Sequence, residues 1–358
     1  MSETFRIPDL DLSSDATPGV PLVIIDLEQF RGAAPEMIEH AAGAIGDAIA
    51  PVVVVSRHAV PDGLEPITTA ATFTLTTNPD ADHDPRLVQV SDPDTAVARL
   101  RAAVEHAPRA AVACGQLLRQ TTQLATTPAL AAEAATYSML LGGPEFATWY
   151  ANRKPRHPPV RPDRDLVRLE RTGDRLSITL DHAERRNALS TAMREELLAA
   201  VQLADLDTSI TTVEIAGGGP AFCSGGDLDE FGRATDPTAA YLVRLDRAPW
   251  RLLDHIADRL LVRLHGACIG AGAEMAAFAG TVHADRGTFF EFPEVRMGLV
   301  PGAGGTVSVP RRIGRWRSAW LMLTGERLSA QTALMWGLVD QLTEADPELT
   351  AGCNHRRP

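Results

Sequence analysis

Apolar runs and helical patterns alternate through the first part of the chain. The pattern predicts strands at residues 20–26 and 51–56, a strand followed by a glycine at residues 110–115, and helices at residues 37–49, 95–106 and 117–141. Gly142, Gly143 and Pro144 then end the last helix. After a loose polar arm at residues 1–20, residues 21–152 are therefore predicted to form a small, mostly helical α/β region.

A second pattern begins after residues 153–164, where prolines and positive charges indicate a linker. The pattern then predicts a hairpin of residues 166–170 and 176–180, helices at 191–204 and 272–280, and buried strands at 212–216 and 261–264. This alternation predicts an α/β core over residues 165–343, followed by a short polar tail at 344–358.

Composition narrows the function classes. The chain has 358 residues, 45% hydrophobic content and a net charge of −12, which indicates a globular protein that is not a general binder of nucleic acids or membrane surfaces. No amino-terminal signal and no apolar run of membrane-spanning length is present, so we expect a cytoplasmic protein. The four cysteines form no metal-binding spacing and are expected to be free thiols, with no bound metal: Cys114, Cys223, Cys268 and Cys353.

Three glycine-bearing stretches mark the second half, at residues 217–227, 265–275 and 290–306. Gly226 in the first and Ala271 in the second follow strands, where free backbone N–H groups can point at a ligand oxygen. Two such donors would form an oxyanion hole, although each stretch alone could simply make a tight turn. Residues 270–275 lack the third glycine of a dinucleotide fingerprint, and residues 302–306 lack the lysine of a P-loop.

Two glutamates are the candidates for acid–base chemistry. Glu274 lies in an apolar, small-residue helix, so burial should raise its pKa, unless its carboxylate reaches solvent or pairs with an arginine. Glu294 follows Pro293 between apolar stretches, where a surface or capping carboxylate is the alternative. Two neighbouring carboxylates can divide the work of activating a water and delivering a proton.

These segments together resemble the crotonase superfamily, the enoyl-CoA hydratase/isomerase family, over about residues 166–343. The resemblance is carried, in family order and spacing, by residues 187–189 (NAL), 221–227 (AFCSGGD), 270–274 (GAGAE), 292–294 (FPE) and 301–306 (PGAGGT). It implies a core of repeated ββα turns wound into a spiral. It also implies a lyase of fatty acid metabolism that hydrates a 2-enoyl-CoA to a 3-hydroxyacyl-CoA.

The resemblance assigns roles to individual residues. Gly226 and Ala271 would donate the oxyanion-hole N–H groups, Glu274 and Glu294 would hold and activate the water, and the Gly302 N–H would orient it. Contacts to coenzyme A, the only cofactor implied and one that is part of the substrate, would come from Arg185, Arg186, Asn187, Ala188, Leu189 and Asp227. A homo-oligomer, either a trimer or a hexamer, is also implied.

Two departures from the family leave other functions open. Residues before the core are expected to form an amino-terminal extension, and the usual helical tail after residues 337–340 is not predicted from this sequence. The extension resembles the branch that contains dihydroxyphenylacetyl-CoA dioxygenase, or it is a decayed crotonase-like half, and it is expected to be non-catalytic. Isomerisation of the enoyl-CoA, oxygen-dependent cleavage of an aryl-acetyl-CoA, and a silent coenzyme A-binding scaffold are therefore alternatives.

Overall fold

Parallel strands organise the first half of the chain. The computed structural model describes residues 5–153 and 162–344. Its first half contains β1 (Val23–Asp26), α1 (Pro35–Gly46), β2 (Val52–Ser56), α2 (Glu65–Ala70), β3 (Phe73–Thr76), β4 (Leu87–Gln89), α3 (Pro93–His106), α4 (Pro108–Thr121), α5 (Thr126–Leu141) and α6 (Pro144–Asn152). The strands form one parallel sheet in chain order. The buried β-branched run of β2 lies inside this sheet, as a strand covered on both faces requires.

The helical segment corrects two predictions. Residues 110–115, predicted as a strand and a glycine, lie within α4, so the pattern that suggested a decayed crotonase-like half is not there. Buried positions in α4 recur every three or four residues, which is the period of a helix face: Ala110, Ala111, Cys114, Gly115, Leu117, Leu118 and Thr121. The single helix predicted over residues 117–141 is two helices, since α4 ends at Thr121 and α5 begins at Thr126.

The second half confirms the predicted α/β alternation. It contains β5 (Val167–Thr172), β6 (Arg175–Leu180), α7 (Thr191–Leu206), β7 (Thr212–Gly217), α8 (Pro237–Asp246), α9 (Trp250–His255), β8 (Leu260–Leu264), β9 (Ala267–Ile269), α10 (Ala271–Ala276), β10 (Thr281–Asp285), β11 (Phe289–Glu291), α11 (Gly305–Thr324), β12 (Leu328–Ser329), α12 (Ala330–Trp336) and β13 (Gln341–Thr343). The helix predicted at residues 272–280 is the shorter α10. Two sheets result, with strand orders β13-β10-β8-β7-β6-β5 and β12-β11-β9.

The predicted hairpin is confirmed. β5 and β6 pair in antiparallel register, with Thr172 opposite Arg175. Gly173 in the connecting turn has a φ of +62°, a left-handed conformation that glycine adopts without steric cost.

One hydrophobic core extends through both halves of the chain. The rings of Phe73 in β3 and Trp320 in α11 meet edge to face, with centroids 5.6 Å apart. The buried Arg317 of α11 donates hydrogen bonds to backbone oxygens of the segment between β3 and β4, including Ala81 and Asp82. The first half is therefore packed directly against the helix that follows the glycine-rich segment at residues 302–306.

The domain boundaries predicted from the sequence stay predictions. Most of the linker at residues 153–164 and nearly all of the tail at 344–358 lie outside the described residues, as do the first four residues of the arm. The described part of the arm forms a turn, in which Leu12 bridges Pro18. Arg109 of α4 donates a 2.7 Å hydrogen bond to Thr17 in that turn.

Candidate active site

The two predicted carboxylates meet beyond the ends of β9 and β11. These strands pair in parallel with Ile269 opposite Glu291, and the Gly270 N–H donates to the Glu291 carbonyl at 2.9 Å. The α10 helix, which carries Glu274, begins after Gly270, whereas Glu294 follows β11. A Cβ atom at Gly270 would overlap Glu294 Oε1 and lie 3.8 Å from Glu274 Oε1. This glycine therefore leaves room for two carboxylates at one point.

Glu274 is held by the backbone of the glycine-rich segment. Its Oε2 accepts hydrogen bonds from the N–H groups of Ala303 at 2.7 Å and Gly305 at 2.9 Å. Its residue surface is only 1% exposed, and no described arginine pairs with it. The carboxylate is thus fixed in orientation, and its Oε1 is the oxygen on the side of Gly270 and Glu294.

Glu294 has a different environment. Its side chain lines the same cavity as Glu274, and its Oε2 is shielded from solvent with no hydrogen-bond partner among the described residues. Buried polar atoms in native proteins nearly always have partners, so an unpaired oxygen in a cavity wall indicates a place for water or ligand. Glu294 precedes the 3₁₀ turn of Val295–Met297, but its side chain makes no capping hydrogen bond there, so the capping alternative does not account for this carboxylate.

A third carboxylate, Glu133 of α5, completes the hydrogen bonding of the glycine-rich segment. Its oxygens accept from the N–H groups of Gly304 at 2.7 Å and Thr306 at 2.9 Å, and from the Thr306 hydroxyl at 2.7 Å. The N–H groups of residues 303–306 thus alternate between Glu274 and Glu133. These donors lie at the start of α11, where N–H groups have no partner within the helix. Glu133 therefore ties the first half of the chain to the segment that orients Glu274.

Burial is the largest influence on the pKa of all three carboxyl groups, and it raises each of them. It raises the pKa of Glu133 to about 7 and that of Glu294 to about 8. Burial, followed by the nearby charges of Glu294 and Glu133, also raises the pKa of Glu274 well above its ordinary value. The backbone N–H donors act in the opposite direction, because they stabilise the ionised forms of Glu274 and Glu133. The cluster therefore keeps protons near neutral pH that exposed glutamates would lose.

These raised pKa values predict that the free energy of unfolding falls as the pH rises. The stabilisation is full below the ordinary glutamate pKa of 4.5, where both states are protonated, and is lost as the pH passes about 7 and about 8. Urea unfolding over this range measures the slope. The variant Glu294→Gln, which cannot ionise, should show a shallower slope than the native chain. A flat native profile would contradict the assignment of these protons.

Three backbone N–H groups in the cavity wall are available to a ligand. Those of Gly226, Ala271 and Gly302 donate no hydrogen bond to any described residue. Two isolated β-bridges fix the first glycine stretch. One joins Cys223 to Cys268 of β9, the strand after which Ala271 follows, and the other joins Gly226 to Leu189. The two predicted oxyanion-hole donors are thus brought to the cavity that contains Glu274 and Glu294.

The cavity has a volume of about 710 Å³ and walls from both halves of the chain. Tyr137 and Leu141 of α5 contribute one side. Arg244 of α8 lies over the Tyr137 ring at 3.4 Å from its centroid and donates to the Gly302 carbonyl at 2.7 Å. Phe231 and Trp250 add aromatic surface. A cavity of this size with a few convergent polar groups suits a small-molecule ligand.

The predicted coenzyme A contacts have unequal environments. Leu189 and Asp227 line the cavity. Arg185 donates to Asp227 at 2.7 Å and to Asp229 at 2.5 Å, so its guanidinium is already paired, whereas Arg186 is exposed. Ala188 is buried beside them. Only some members of this predicted set therefore present free polar groups to a ligand.

The Asn187 side chain connects two backbone segments through hydrogen bonds. Its side chain is fully buried and donates to the carbonyls of Gly218, Ala221 and Phe222 at 2.9 to 3.1 Å, while its Oδ1 accepts from the His182 N–H at 2.8 Å. Its amide NH₂ group is therefore fully used within the protein, and its oxygen accepts one hydrogen bond. It therefore joins the loop at residues 182–189 to the strand exit that leads to Gly226.

Sequence reasoning missed Glu133, Tyr137, Arg194 and Arg244. A signal existed for Glu133, because it is the one charged residue in the otherwise neutral α5, the same pattern that drew attention to Glu274. Nothing local to Tyr137 or the arginines distinguished them, since their proximity to the glutamates comes from tertiary packing. Within residues 5–153 and 162–344, no cluster of His, Cys, Asp and Glu could hold a metal ion. No helix in those ranges could cross a membrane.

Known proteins are similar to the second half of the chain. A family model described as Enoyl-CoA hydratase/isomerase matches residues 173–350. A 2,3-dehydroadipyl-CoA hydratase of Escherichia coli (strain K12) is 34% identical over 171 residues, which cover 48% of this chain and 66% of that protein. A 1,2-epoxyphenylacetyl-CoA isomerase of the same strain is 31% identical over 175 residues, with 47% and 66% covered.

A similar solved structure is that of enoyl-CoA hydratase from Thermoplasma volcanium GSS1. It is 31% identical, with a TM-score of 0.45, and the match covers 51% of this chain and 73% of that one. The chain spans just under two thirds of the length of the two curated relatives. Residues before 173 fall outside the match to the family model, and Glu133, Tyr137 and the rest of α5 lie among them.

Proposed function

Since this chain belongs to the crotonase superfamily, the enoyl-CoA hydratase/isomerase family, we propose that it is an acyl-CoA enzyme that stabilises a thioester enolate. The reaction that we propose first is hydration of a 2-enoyl-CoA to a 3-hydroxyacyl-CoA. The observation that carries this proposal is the pair of carboxylates, Glu274 and Glu294, that lie together beside Gly270 in one cavity with free N–H donors.

The two glutamates take different parts in the addition of water. Two negative carboxylates this close repel each other, so the singly protonated pair is favoured over the pair in which both are ionised. The N–H groups of Ala303 and Gly305 favour the charge on Glu274, and the proton then belongs to Glu294. Glu274 accepts a proton from the water molecule while the water oxygen bonds to C3 of the substrate. Glu294 delivers a proton to C2, so one water adds across the double bond.

The backbone donors act on the thioester oxygen. As the water oxygen bonds to C3, the electrons of the double bond move toward the thioester carbonyl oxygen and produce an enolate. The N–H groups of Gly226 and Ala271 would stabilise the developing charge, and one such donor is typically worth about 3 kcal/mol of the barrier. The Gly302 N–H would orient the attacking water. Coenzyme A enters as part of the substrate, and no permanently bound cofactor is needed.

Crotonyl-CoA tests this proposal. We expect hydration to remove the conjugated double bond, and the absorbance of the enoyl thioester to fall in proportion to protein concentration. Production of 3-hydroxybutyryl-CoA, identified by mass spectrometry, separates hydration from thioester hydrolysis. Tight binding of crotonyl-CoA and longer 2-enoyl-CoA thioesters without any loss of absorbance would count against hydration and favour a silent binding protein.

Isomerisation is the second candidate, because the same acid–base pair could remove a proton from C2 and return one at C4. The family model that matches residues 173–350 is described as Enoyl-CoA hydratase/isomerase. A 3-enoyl-CoA would then gain conjugation, and the absorbance would rise instead of fall. The homo-oligomer, the cytoplasmic location and the role in fatty acid metabolism that the sequence suggests stay predictions.

A further inference from the structure

Two arginines line the cavity without a carboxylate partner among the described residues: Arg194 of α7 and Arg244 of α8. The Nε atom of each is shielded from solvent and has no hydrogen-bond acceptor. A buried cationic donor without an acceptor costs free energy, more so when a second cation lies nearby. Both side chains line the same cavity, and burial, followed by the charge of Arg244, lowers the pKa of Arg194.

The acidic side chains of the cavity wall outside the glutamate pair have other partners. Asp227 pairs with Arg185, Glu230 accepts from the N–H and hydroxyl of Thr191, and Asp236 caps the start of α8. None forms an ion pair with Arg194 or Arg244 in the described ranges. The charges of Glu195 and Glu230 act on Arg194, and that of Glu133 on Arg244, without forming an ion pair, so both guanidinium groups keep donors for a bound anion.

Arg244 also fixes where that anion would lie. Its Nη1 donates to the Gly302 carbonyl, and its guanidinium is stacked on Tyr137. Ala303, which follows Gly302 in the chain, donates its N–H to the Glu274 carboxylate. Arg244 thus lies beside the reacting end of the cavity. The phosphates of coenzyme A are separated from the thioester by the whole pantetheine arm, so an anion here belongs to the acyl group.

We propose that Arg194 and Arg244 bind a carboxylate at the far end of the acyl chain, so that the preferred substrate is a CoA thioester of an unsaturated dicarboxylic acid. This inference rests on the proposed function, since it specifies the acyl group for the same site. A planar guanidinium can present Nε and one Nη to a carboxylate as two parallel donors. The Nε of Arg244 is shielded from solvent and its Nη1 holds Gly302, so the carboxylate would approach this arginine through Nη2.

Binding of saturated thioesters tests this inference apart from catalysis. Adipyl-CoA and hexanoyl-CoA have the same number of carbons, and only adipyl-CoA carries the terminal carboxylate. We expect calorimetry to give at least about tenfold tighter binding of adipyl-CoA. The variant Arg194→Gln should reduce this ratio about tenfold, and Arg194→Lys should restore part of it. The control is Arg251→Gln on the exposed surface of α9, which does not line the cavity.

The outcomes are distinct. Equal affinity of the native protein for the two thioesters would overturn the inference, and this result requires no variant to fold. Equal weakening of both thioesters by Arg194→Gln would also overturn it, because the arginine would then serve the coenzyme A phosphates. Selective binding of adipyl-CoA that depends on Arg194 would support the inference even if no 2-enoyl-CoA is hydrated, in which case only the proposed reaction fails.

Discussion

Glu294→Gln is expected to reduce kcat for crotonyl-CoA hydration by about 10²–10⁴-fold, the usual range for loss of a general acid or base. Glutamine has nearly the same shape, and Glu294 Oε2 has no hydrogen-bond partner to lose among the described residues. The change therefore removes the proton carried by this carboxyl group and little else. Steady-state kinetics, together with the dissociation constant of a saturated acyl-CoA, measures the effect.

Binding of the saturated thioester should change little, because the loss concerns proton transfer in the transition state. Glu170→Gln on the exposed β5 strand is the matched control, and it should keep native kcat. If Glu294→Gln retained native kcat, the role assigned to Glu294 would be wrong. Equal losses in both variants would instead indicate a general effect of the substitutions.

Glu133→Ala is expected to have the largest effect on stability. The alanine leaves the N–H groups of Gly304 and Thr306 without acceptors in a buried segment and creates a void. Unsatisfied buried donors of this kind typically cost about 1–3 kcal/mol each, so we expect the free energy of unfolding to fall by about 2–4 kcal/mol. Urea denaturation measures this loss. Because the same segment orients Glu274, kcat for hydration should fall as well.

Two further variants make this prediction specific. Glu133→Gln keeps one acceptor oxygen and should lose less stability than Glu133→Ala. Glu105→Ala, an exposed position of α3, should leave both the unfolding midpoint and kcat close to native. If Glu133→Ala were as stable as Glu105→Ala, the contacts between α5 and residues 304–306 would contribute nothing measurable, and the coupling of the two halves would have to come from elsewhere.

The part of the site that could be predicted lies in local sequence motifs. Glu274 and Glu294 each follow a short strand within a glycine-bearing segment, and parallel pairing of β9 with β11 brings those segments together. A carboxylate in an apolar small-residue helix indicates burial from sequence alone. The two glutamates and the N–H groups of Gly226 and Ala271 could therefore be named before the structure was known.

The remaining site residues depend on contacts between distant segments. Glu133 lies 171 positions before its hydrogen-bond partner Gly304, and no local periodicity reports such a contact. Arg244 likewise reaches Gly302 across 58 positions. The prediction of a strand at residues 110–115 was wrong because a short run of small apolar residues suits either a strand or a helix. The longer helical spacing from Ala110 to Thr121 and the proline at the first position of α4 favour the helix.

Hydration of crotonyl-CoA in deuterium oxide, followed by NMR of the product, tests the central claim most directly. If Glu294 delivers a solvent-derived proton to C2 of an enolate held by Gly226 and Ala271, the 3-hydroxybutyryl-CoA formed carries one deuterium at C2. The Glu294→Gln variant should form this product far more slowly. A native protein that binds crotonyl-CoA yet forms no product and incorporates no deuterium at C2 would contradict the account.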